Sequence, residues 1–341
     1  MNSNLKKALN AVLFLAILSV LHFLFSKIFA YTVISSHRLV TTTNTLIKQA
    51  KEGRIEILVL GDSHPGTAIN PLRFDRKLVV WTSGGERYYQ NFYKLRSFLT
   101  SFGKPEVVIL PLDFHSFKSN ALNTRNDFFW VNHMDYREFG SKLGKKTRYL
   151  GKYVKGRFLP YAGESELIYQ WVLRGFKKPK KNLLAPSLGD KIKKSNSGGK
   201  RQKIESPRGN PSAAVRKRMA AAKRRAKLGF YKANTFDPVK VDYFKKIMTL
   251  CRKNSIKLLL VKFPVTAEYY RCVSGNFLDI DKYYKKIGAL IPKSYKDVYI
   301  LDYQKIFFNR PHLMKDPDHT TAEGAKMISD KINDIINRML L

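Results

Sequence analysis

The stretch IEILVLGDSH, residues 55–64, joins a short apolar run to a polar turn. An apolar run of this length that ends at a glycine is typical of a strand buried on both faces of a parallel sheet. Four more such runs follow, at residues 78–81 (LVVW), 107–112 (VVILPL), 256–263 (IKLLLVKF) and 298–303 (VYILDY). Helical patterns lie between and after them, one running through residue 102, one over residues 239–253 and one over residues 320–341. Strands that alternate with helices predict an α/β fold with about five parallel strands.

Two short motifs carry the residue types of a nucleophilic site. Gly61-Asp62-Ser63-His64 directly follows the first strand, and Asp316-Pro317-Asp318-His319 directly precedes the last helix. A serine hydroxyl is a weak nucleophile until an imidazole takes its proton, and the imidazole needs a carboxylate to fix its tautomer. Sites in open α/β sheets gather at the carboxyl ends of the strands, so we expect Ser63 and His319 to meet there. A local turn would hold Asp316 against His319; Asp318 is the alternative partner, and a plain helix cap is the alternative role for Ser63.

GDS after the first strand and D-x-x-H before the last helix resemble the SGNH/GDSL hydrolase superfamily, over residues 55–113 and 256–340. The tail DPDHTTAEGAKMIS is similar to the D-x-D-H-L-N-x-x-G-A ending of membrane-anchored SGNH proteins of cell-surface polysaccharide acylation. The resemblance implies a flavodoxin-like three-layer α/β/α domain with Ser63 as nucleophile, His319 as general base and Asp316 as its orienting acid. It also implies an oxyanion hole formed by the backbone N–H of Ser63 and that of Gly84 or Gly85.

The sequence departs from the family where an asparagine is expected after the third strand. The segment PLDFHSF has Asp113 and His115 instead, and an ionised aspartate is a poor oxyanion donor. These two residues are candidates for the pocket lining, together with Asp62, His64 and Asp318, although a residue in the position of His64 more often only packs at the turn. Asp113 and His115 alone are too few ligands for a metal. The chain has no Walker motif, G-x-G-x-x-G or H-E-x-x-H, so neither a metal nor a nucleotide cofactor is predicted.

Residues 8–30 form an almost continuous apolar run that Lys6 and Lys7 precede. About 20 helical residues cross the hydrocarbon core of a bilayer. We interpret the run as an uncleaved single-pass signal anchor in the cell (inner) membrane, with its N-terminus inside and the rest of the chain outside the cytoplasm. A cleaved signal sequence and a buried core helix are the alternatives. Cys251 and Cys272 would then form a disulfide or remain free thiols.

The chain of 341 residues has 63 basic and 26 acidic side chains, and this net charge of +37 indicates an anionic environment or partner. Residues 181–227 contain 15 basic and two acidic side chains. We predict that this basic segment is mobile, as part of an insertion whose first part is aromatic. It is a solvated linker, or it contacts an anionic membrane face or an acidic glycan; nucleic acid is not favoured, because no recognisable module accompanies it. The predicted divisions are an anchor over residues 1–34, the α/β domain over 35–114 and 239–341, and the insertion over 115–238.

These expectations converge on acyl transfer through a seryl ester. Water as the acceptor gives an esterase, and a sugar hydroxyl gives an O-acyltransferase. The resemblance implies O-acetyl groups on a surface polysaccharide, so an acylated glycan or another ester is the expected substrate. A transferase would need a multi-span membrane partner to supply acyl groups, because one helix cannot form a channel. The alternatives are a non-catalytic scaffold that binds glycan or a membrane partner, and a basic binder of nucleic acid or anionic lipid.

Overall fold

The computed structural model describes residues 3–117, 150–151, 153–154, 161, 165–173, 213–230 and 236–341. Five parallel strands form one sheet in the order β2-β1-β3-β4-β5. The strands are β1 (Ile57–Gly61), β2 (Leu78–Thr82), β3 (Val107–Pro111), β4 (Lys257–Lys262) and β5 (Val298–Asp302). The predicted α/β fold with five parallel strands is confirmed, and each strand lies within about two residues of its predicted bounds, as is usual for element ends.

Ten α-helices have defined bounds in the described ranges of the chain. They are α1 (Ser3–Thr32), α2 (Arg38–Lys51), α3 (Ser63–Ala68), α4 (Tyr88–Phe102), α5 (Ser165–Leu173), α6 (Ala213–Phe230), α7 (Pro238–Lys253), α8 (Ala267–Asn276), α9 (Ile280–Gly288) and α10 (Ala322–Met339).

Helices cover both faces of the sheet. Ile328, Ile332 and Ile336 of α10 are four residues apart and pack in one buried cluster with alternate strand residues, among them Val59 and Ile109. The residues of the other parity in β1, β3 and β4 are also fully buried, which requires a second cover over the middle of the sheet. On that face α4 contacts β1, and α7 contacts both β4 and α4. The result is three layers, with the carboxyl ends of the strands left free for a site.

A short antiparallel ribbon, not predicted from the sequence, precedes α10. Its strands are β6 (Met314–Asp316) and β7 (His319–Thr320). Strands of two and three residues are too short to give a recognisable alternation. Thr321 caps α10, since its hydroxyl accepts the N–H of Gly324 at 3.2 Å. The ribbon and its cap fix the backbone that carries the Asp316–His319 motif.

The chain divides into two compact units, residues 1–44 with 124–185 and residues 45–123 with 186–341. The second unit contains the sheet. In the first unit α1 is exposed over most of its length, and Phe29 and Val33 pack with Trp171. Residues Ser3–Ser36 are long and apolar enough to cross a bilayer, as a membrane anchor or a signal sequence would be.

Within the basic segment that we predict to be mobile, residues 213–227 belong to the helix α6. Alanines are frequent there, and alanine has the highest helix propensity. Ala222 and Ala226 are buried in a cluster with Val265 and Tyr269, because their small side chains let α6 approach α8 closely. Residues 181–212 and the aromatic part over 118–149 lie outside the described residues. Both cysteines are free thiols: Cys251 is buried and Cys272 is half-buried.

Candidate active site

Ser63 lies at the carboxyl edge of the sheet, where β1 turns sharply into α3. Gly61 makes this turn with a φ of +129°, and a Cβ at this position would lie 2.6 Å from the ring of Pro111, so a larger residue does not fit. Asp62 caps α3, because its Oδ1 accepts the N–H of His64 at 3.0 Å. Ser63 is therefore the first residue of the helix, and it is half-buried.

His319 joins Ser63 to Asp316. Its Nε2 lies 2.8 Å from Ser63 Oγ, and its Nδ1 lies 2.8 and 2.9 Å from the two carboxylate oxygens of Asp316. A carboxylate can only accept, so Nδ1 carries the proton and Nε2 of the neutral ring is free to accept the hydroxyl proton of Ser63. The Asp316 carboxylate also accepts the backbone N–H groups of His319 (3.0 Å) and Asp318 (3.2 Å), which orients it toward the imidazole.

Asp318, the alternative partner, lies farther from the imidazole. Its Oδ1 is 3.4 Å from His319 Nδ1, and its side chain is only 3% exposed, whereas that of Asp316 is 40% exposed. Asp318 Oδ2 accepts a hydrogen bond from Arg225 Nε of α6 at 2.7 Å. Burial by itself would raise the pKa of Asp318, but His64, Arg225 and His319 together lower it below its ordinary value. Asp318 is thus a buried carboxylate beside the imidazole, and Asp316 is the closer partner.

His64 is the centre of a buried network under these residues. Its Nδ1 lies 2.8 Å from Asp113 Oδ2, and its Nε2 lies 3.3 Å from Asp318 Oδ2 as an ion pair without good hydrogen-bond alignment. Burial alone would lower the pKa of His64, but the charges of Asp113 and Asp62 raise it well above its ordinary value. The neighbouring carboxylates therefore favour the imidazolium form of His64. The sequence favoured simple packing for His64, and the structure gives it charged partners on both ring nitrogens.

Asp113 is fully engaged in this network. Its Oδ1 accepts the N–H of Phe263 at 2.9 Å, and its Oδ2 faces His64. Because an ionised carboxylate has no proton to donate and both oxygens are directed at donors, Asp113 does not replace the missing asparagine as an oxyanion donor.

Asp62 and His115 form a second pair, with Oδ2 and Nε2 2.6 Å apart. Burial would raise the pKa of Asp62, but the imidazoles of His115 and His64 lower it; burial also lowers the pKa of His115. Asp62, His64, Asp113 and His115 have ligand atoms within 4.8 Å of one another and are residue types that bind metals. Within each pair, however, the aspartate oxygen contacts the histidine nitrogen directly: Asp62 contacts His115, and Asp113 contacts His64. Each of these possible ligand atoms therefore already has a protein partner.

Gly84 and Gly85 lie in the turn after β2, next to the turn that carries Ser63. Ser83 N–H donates to the carbonyl of Gly61 at 3.3 Å, which ties the two turns together. Gly85 has a φ of +78°, and a Cβ on Gly84 would meet nothing within 4 Å, so there is open space beside this backbone. The structure thus places both candidate oxyanion glycines at the same edge as Ser63.

A buried ion pair supports this glycine turn. Lys94 Nζ of α4 donates to Glu86 Oε1 at 2.6 Å and to the carbonyl of Trp81 at 2.9 Å, so it joins the end of β2 to the end of the turn. The side chains of Lys94 and Glu86 are 0% and 3% exposed. Burial raises the pKa of Glu86 to about 7, although the Lys94 charge opposes the rise.

Sequence reasoning grouped these residues as pocket candidates, but it missed how they pair with one another and the contribution of α6. The signal for the first was present: the pattern Asp-x-His occurs twice, as Asp62-x-His64 after β1 and Asp113-x-His115 after β3. These strands are neighbours in the sheet, so their ends meet. No comparable signal marked Arg225, which is one basic residue among many in its segment.

No protein-family model matches the chain. A comparison with curated proteins finds no match either. A solved structure of a proposed acylhydrolase from Bacteroides fragilis NCTC 9343 is similar to this chain, with a TM-score of 0.39 and 12% sequence identity, over 86% of this chain and 95% of that one. The assignment of a function therefore rests on the residues of this chain.

Proposed function

We propose that the chain is a serine-dependent acyl-ester hydrolase or O-acyltransferase of the SGNH/GDSL type. Ser63 is the nucleophile, His319 the general base and Asp316 the residue that orients it. The observation that carries the proposal is the continuous contact from Ser63 through His319 to Asp316, between residues 256 positions apart in the chain. A serine that only caps a helix needs no imidazole 2.8 Å from its hydroxyl, so the alternative role of Ser63 as a helix cap does not account for this contact.

The reaction proceeds through an ester on Ser63. Ser63 Oγ attacks the acyl carbonyl carbon while His319 Nε2 takes the hydroxyl proton. The intermediate expels the alcohol, which leaves with that proton, and the acyl group stays on Ser63. An acceptor hydroxyl then attacks this ester and gives its proton to His319. The product departs as the proton returns to Ser63.

Backbone N–H groups hold the developing oxyanion in this proposal. The donors are the N–H of Ser63 and that of Gly84 or Gly85, and Asp113 contributes none. Removal of one such donor typically raises the barrier by about 3–4 kcal/mol. A site with backbone donors alone therefore depends on the exact position of the glycine turn, which the Lys94–Glu86 pair supports.

The proposed substrate is an O-acyl ester on a cell-surface polysaccharide. Two sequence features support this choice, namely the similarity of the tail DPDHTTAEGAKMIS to membrane-anchored relatives and the apolar α1. In the proposed arrangement α1 is the membrane anchor and the α/β domain lies outside the cytoplasm. A sugar hydroxyl as acceptor would make the protein a transferase, supplied by a multi-span acyl-carrying partner.

The test is p-nitrophenyl acetate turnover by the full-length chain in detergent. We expect Ser63→Ala and His319→Ala each to lower kcat/KM by about 10³-fold or more, as loss of a triad member does. Ser274→Ala and His312→Ala are matched controls, because both residues are exposed and lie outside the site. These two variants should retain the parent rate.

A fluorophosphonate that acylates activated serines provides a second readout without a substrate. Mass spectrometry should find the label on Ser63 in the parent and no label in His319→Ala. Turnover by the parent no faster than by Ser63→Ala, together with an unlabelled Ser63, would leave the non-catalytic scaffold as the better interpretation.

A further inference from the structure

Arg225 is the residue of α6 that reaches the candidate site. We propose that Arg225 is a positioning residue that holds and neutralises the Asp318 carboxylate, so that His319 is oriented by Asp316 alone. This inference rests on the proposed function and deepens it, because it makes α6 part of the acyl-transfer site.

Two carboxylates, those of Asp316 and Asp318, lie near Nδ1 of His319. Nδ1 lies 2.8 Å from Asp316 and 3.4 Å from Asp318. A ring rotated toward Asp318 would lose its alignment with Ser63. Arg225 Nε donates to Asp318 Oδ2 at 2.7 Å and draws the carboxylate toward α6. Asp318 Oδ1 has no hydrogen-bond partner in the described part of the chain. Its Oδ2 faces two cations, His64 at 3.3 Å and Arg225 at 2.7 Å, and Arg225 makes the shorter, aligned hydrogen bond.

Arg225 is itself fixed by the packing of α6. Ala222 and Ala226, which flank it on the same side of the helix, are buried against α8. Arg218 lies seven residues earlier, two turns along the same face, and pairs with Glu268 of α8 at 2.9 Å. The buried alanines hold α6 against α8, whereas the partly exposed Arg218–Glu268 pair adds little to this packing. The packed α6 places Arg225 beside Asp318.

The charges around His319 set the direction of the expected effect. Asp316 and Asp318 face it from its own hairpin, and the His64 ring of α3 lies 5.4 Å away, centre to centre. The charge of His64 is shared with Asp113, 2.8 Å from its Nδ1. Tyr269 of α8 also lies near Asp318, and burial raises the pKa of this phenol above its ordinary value, so it stays neutral. Without Arg225, Asp318 would keep only a shared imidazolium as counter-charge. Its unbalanced charge would then favour the protonated form of His319.

The experiment measures the pH dependence of Ser63 labelling by a fluorophosphonate, on the full-length chain in detergent. In Arg225→Gln, the acidic limb of the rate profile should move to higher pH by about one pH unit, since an uncompensated carboxylate within about 4–6 Å moves a titration by that order. Arg225→Lys keeps the charge and should restore most of the parent profile. Arg218→Gln is the matched control: it removes an ion pair from the same helix face and should leave the limb in place.

Asp318→Asn tests the route of the effect. In this background Arg225→Gln should move the limb no further, because the charge that Arg225 balances is absent. An unmoved limb in Arg225→Gln, an equal displacement in Arg218→Gln, or a full displacement in the Asp318→Asn background would each overturn the inference.

Histidine-selective NMR titration of the same variants makes the inference testable apart from the proposed function. The His319 ring signal is assigned by its loss in His319→Asn. If Ser63 is not labelled in the parent, the proposed function fails. The inference then stands or falls on whether the His319 ring takes up its second proton at a higher pH in Arg225→Gln than in the parent and in Arg218→Gln.

Discussion

The buried pair Lys94–Glu86 predicts a destabilisation that depends on pH. Lys94→Met removes the cation 2.6 Å from a carboxylate that is 3% exposed. Leaving a buried charge unpaired typically costs about 3–5 kcal/mol, and we expect this loss of unfolding free energy at pH 8. Below about pH 6 Glu86 is neutral in the folded protein, since burial raises its pKa to about 7, and the loss should be smaller there by about 1 kcal/mol, the free energy of the one pH unit between that pKa and pH 8.

The direction in which stability changes with pH follows from the folded-state pKa of Glu86, which lies above its ordinary value of 4.5. Its contribution to stability is fully present below pH 4.5 and is lost as the pH rises through about 7. Over that interval the parent loses up to about 3 kcal/mol through this one group, because each pH unit between the unfolded-state and folded-state pKa values corresponds to about 1.4 kcal/mol. Without Lys94 the pKa of Glu86 rises further, so the variant loses more than the parent at pH 8.

The assay is denaturant unfolding of the full chain in detergent at pH 5.5 and pH 8, followed by far-UV circular dichroism. The double variant Lys94→Met/Glu86→Leu should recover to within about 1.5 kcal/mol of the parent at pH 8, because no buried charge remains. Lys48→Met, which removes an exposed partner 4.0 Å from Glu52, should not change stability measurably. An equal loss at both pH values, or a double variant as unstable as Lys94→Met, would refute the reasoning.

Three further predictions concern the site and its support. Asp316→Asn should lower esterase kcat/KM by about 10³-fold, because the new amide NH₂ can donate to Nδ1 and favours the wrong tautomer of His319. Asp318→Asn should lower it much less, and an equal loss in steady-state assays would contradict the assignment of Asp316 as the main partner. Gly61→Ala should lower the unfolding free energy by about 3 kcal/mol or more, because the φ of Gly61 is +129° and the new Cβ would lie 2.6 Å from the ring of Pro111. Gly275 in α8 has open space around a new Cβ, so Gly275→Ala should be neutral or slightly stabilising in the same unfolding assay. His64→Asn should destabilise the protein by about 3 kcal/mol at pH 6 and by less at pH 10, since a raised pKa means that the stabilisation is present at low pH and is lost as the pH passes the folded-state pKa; unfolding curves at the two pH values check this.

The sheet was predictable because its signal is local. Each strand is a run of four to eight apolar residues, and a buried parallel strand needs nothing more to be recognised. The positions of Ser63 and His319 were predictable for a related reason. The position of a residue that directly follows a strand, or directly precedes a helix, is set by that strand or helix.

The charged network was not predictable in the same way, because it depends on pairing between distant segments. Asp113 meets His64 and the N–H of Phe263, and only the sheet order brings these three together. Composition misled the interpretation of α6, since charge density hid the two buried alanines that hold the helix against α8. Whether a basic residue is solvated or reaches a buried carboxylate, as Arg225 does, is decided by packing that the local sequence does not record.

The 256-residue separation between Ser63 and His319 has a consequence for biosynthesis. A ribosome that adds about 5–20 residues per second needs on the order of ten seconds or more to travel from the serine codon to the histidine codon. During that interval the emerging chain carries an inert hydroxyl at the end of its first strand. Under the proposed function, the general base is supplied only by the final hairpin, so we expect an incompletely translated product to be unable to cleave or transfer esters.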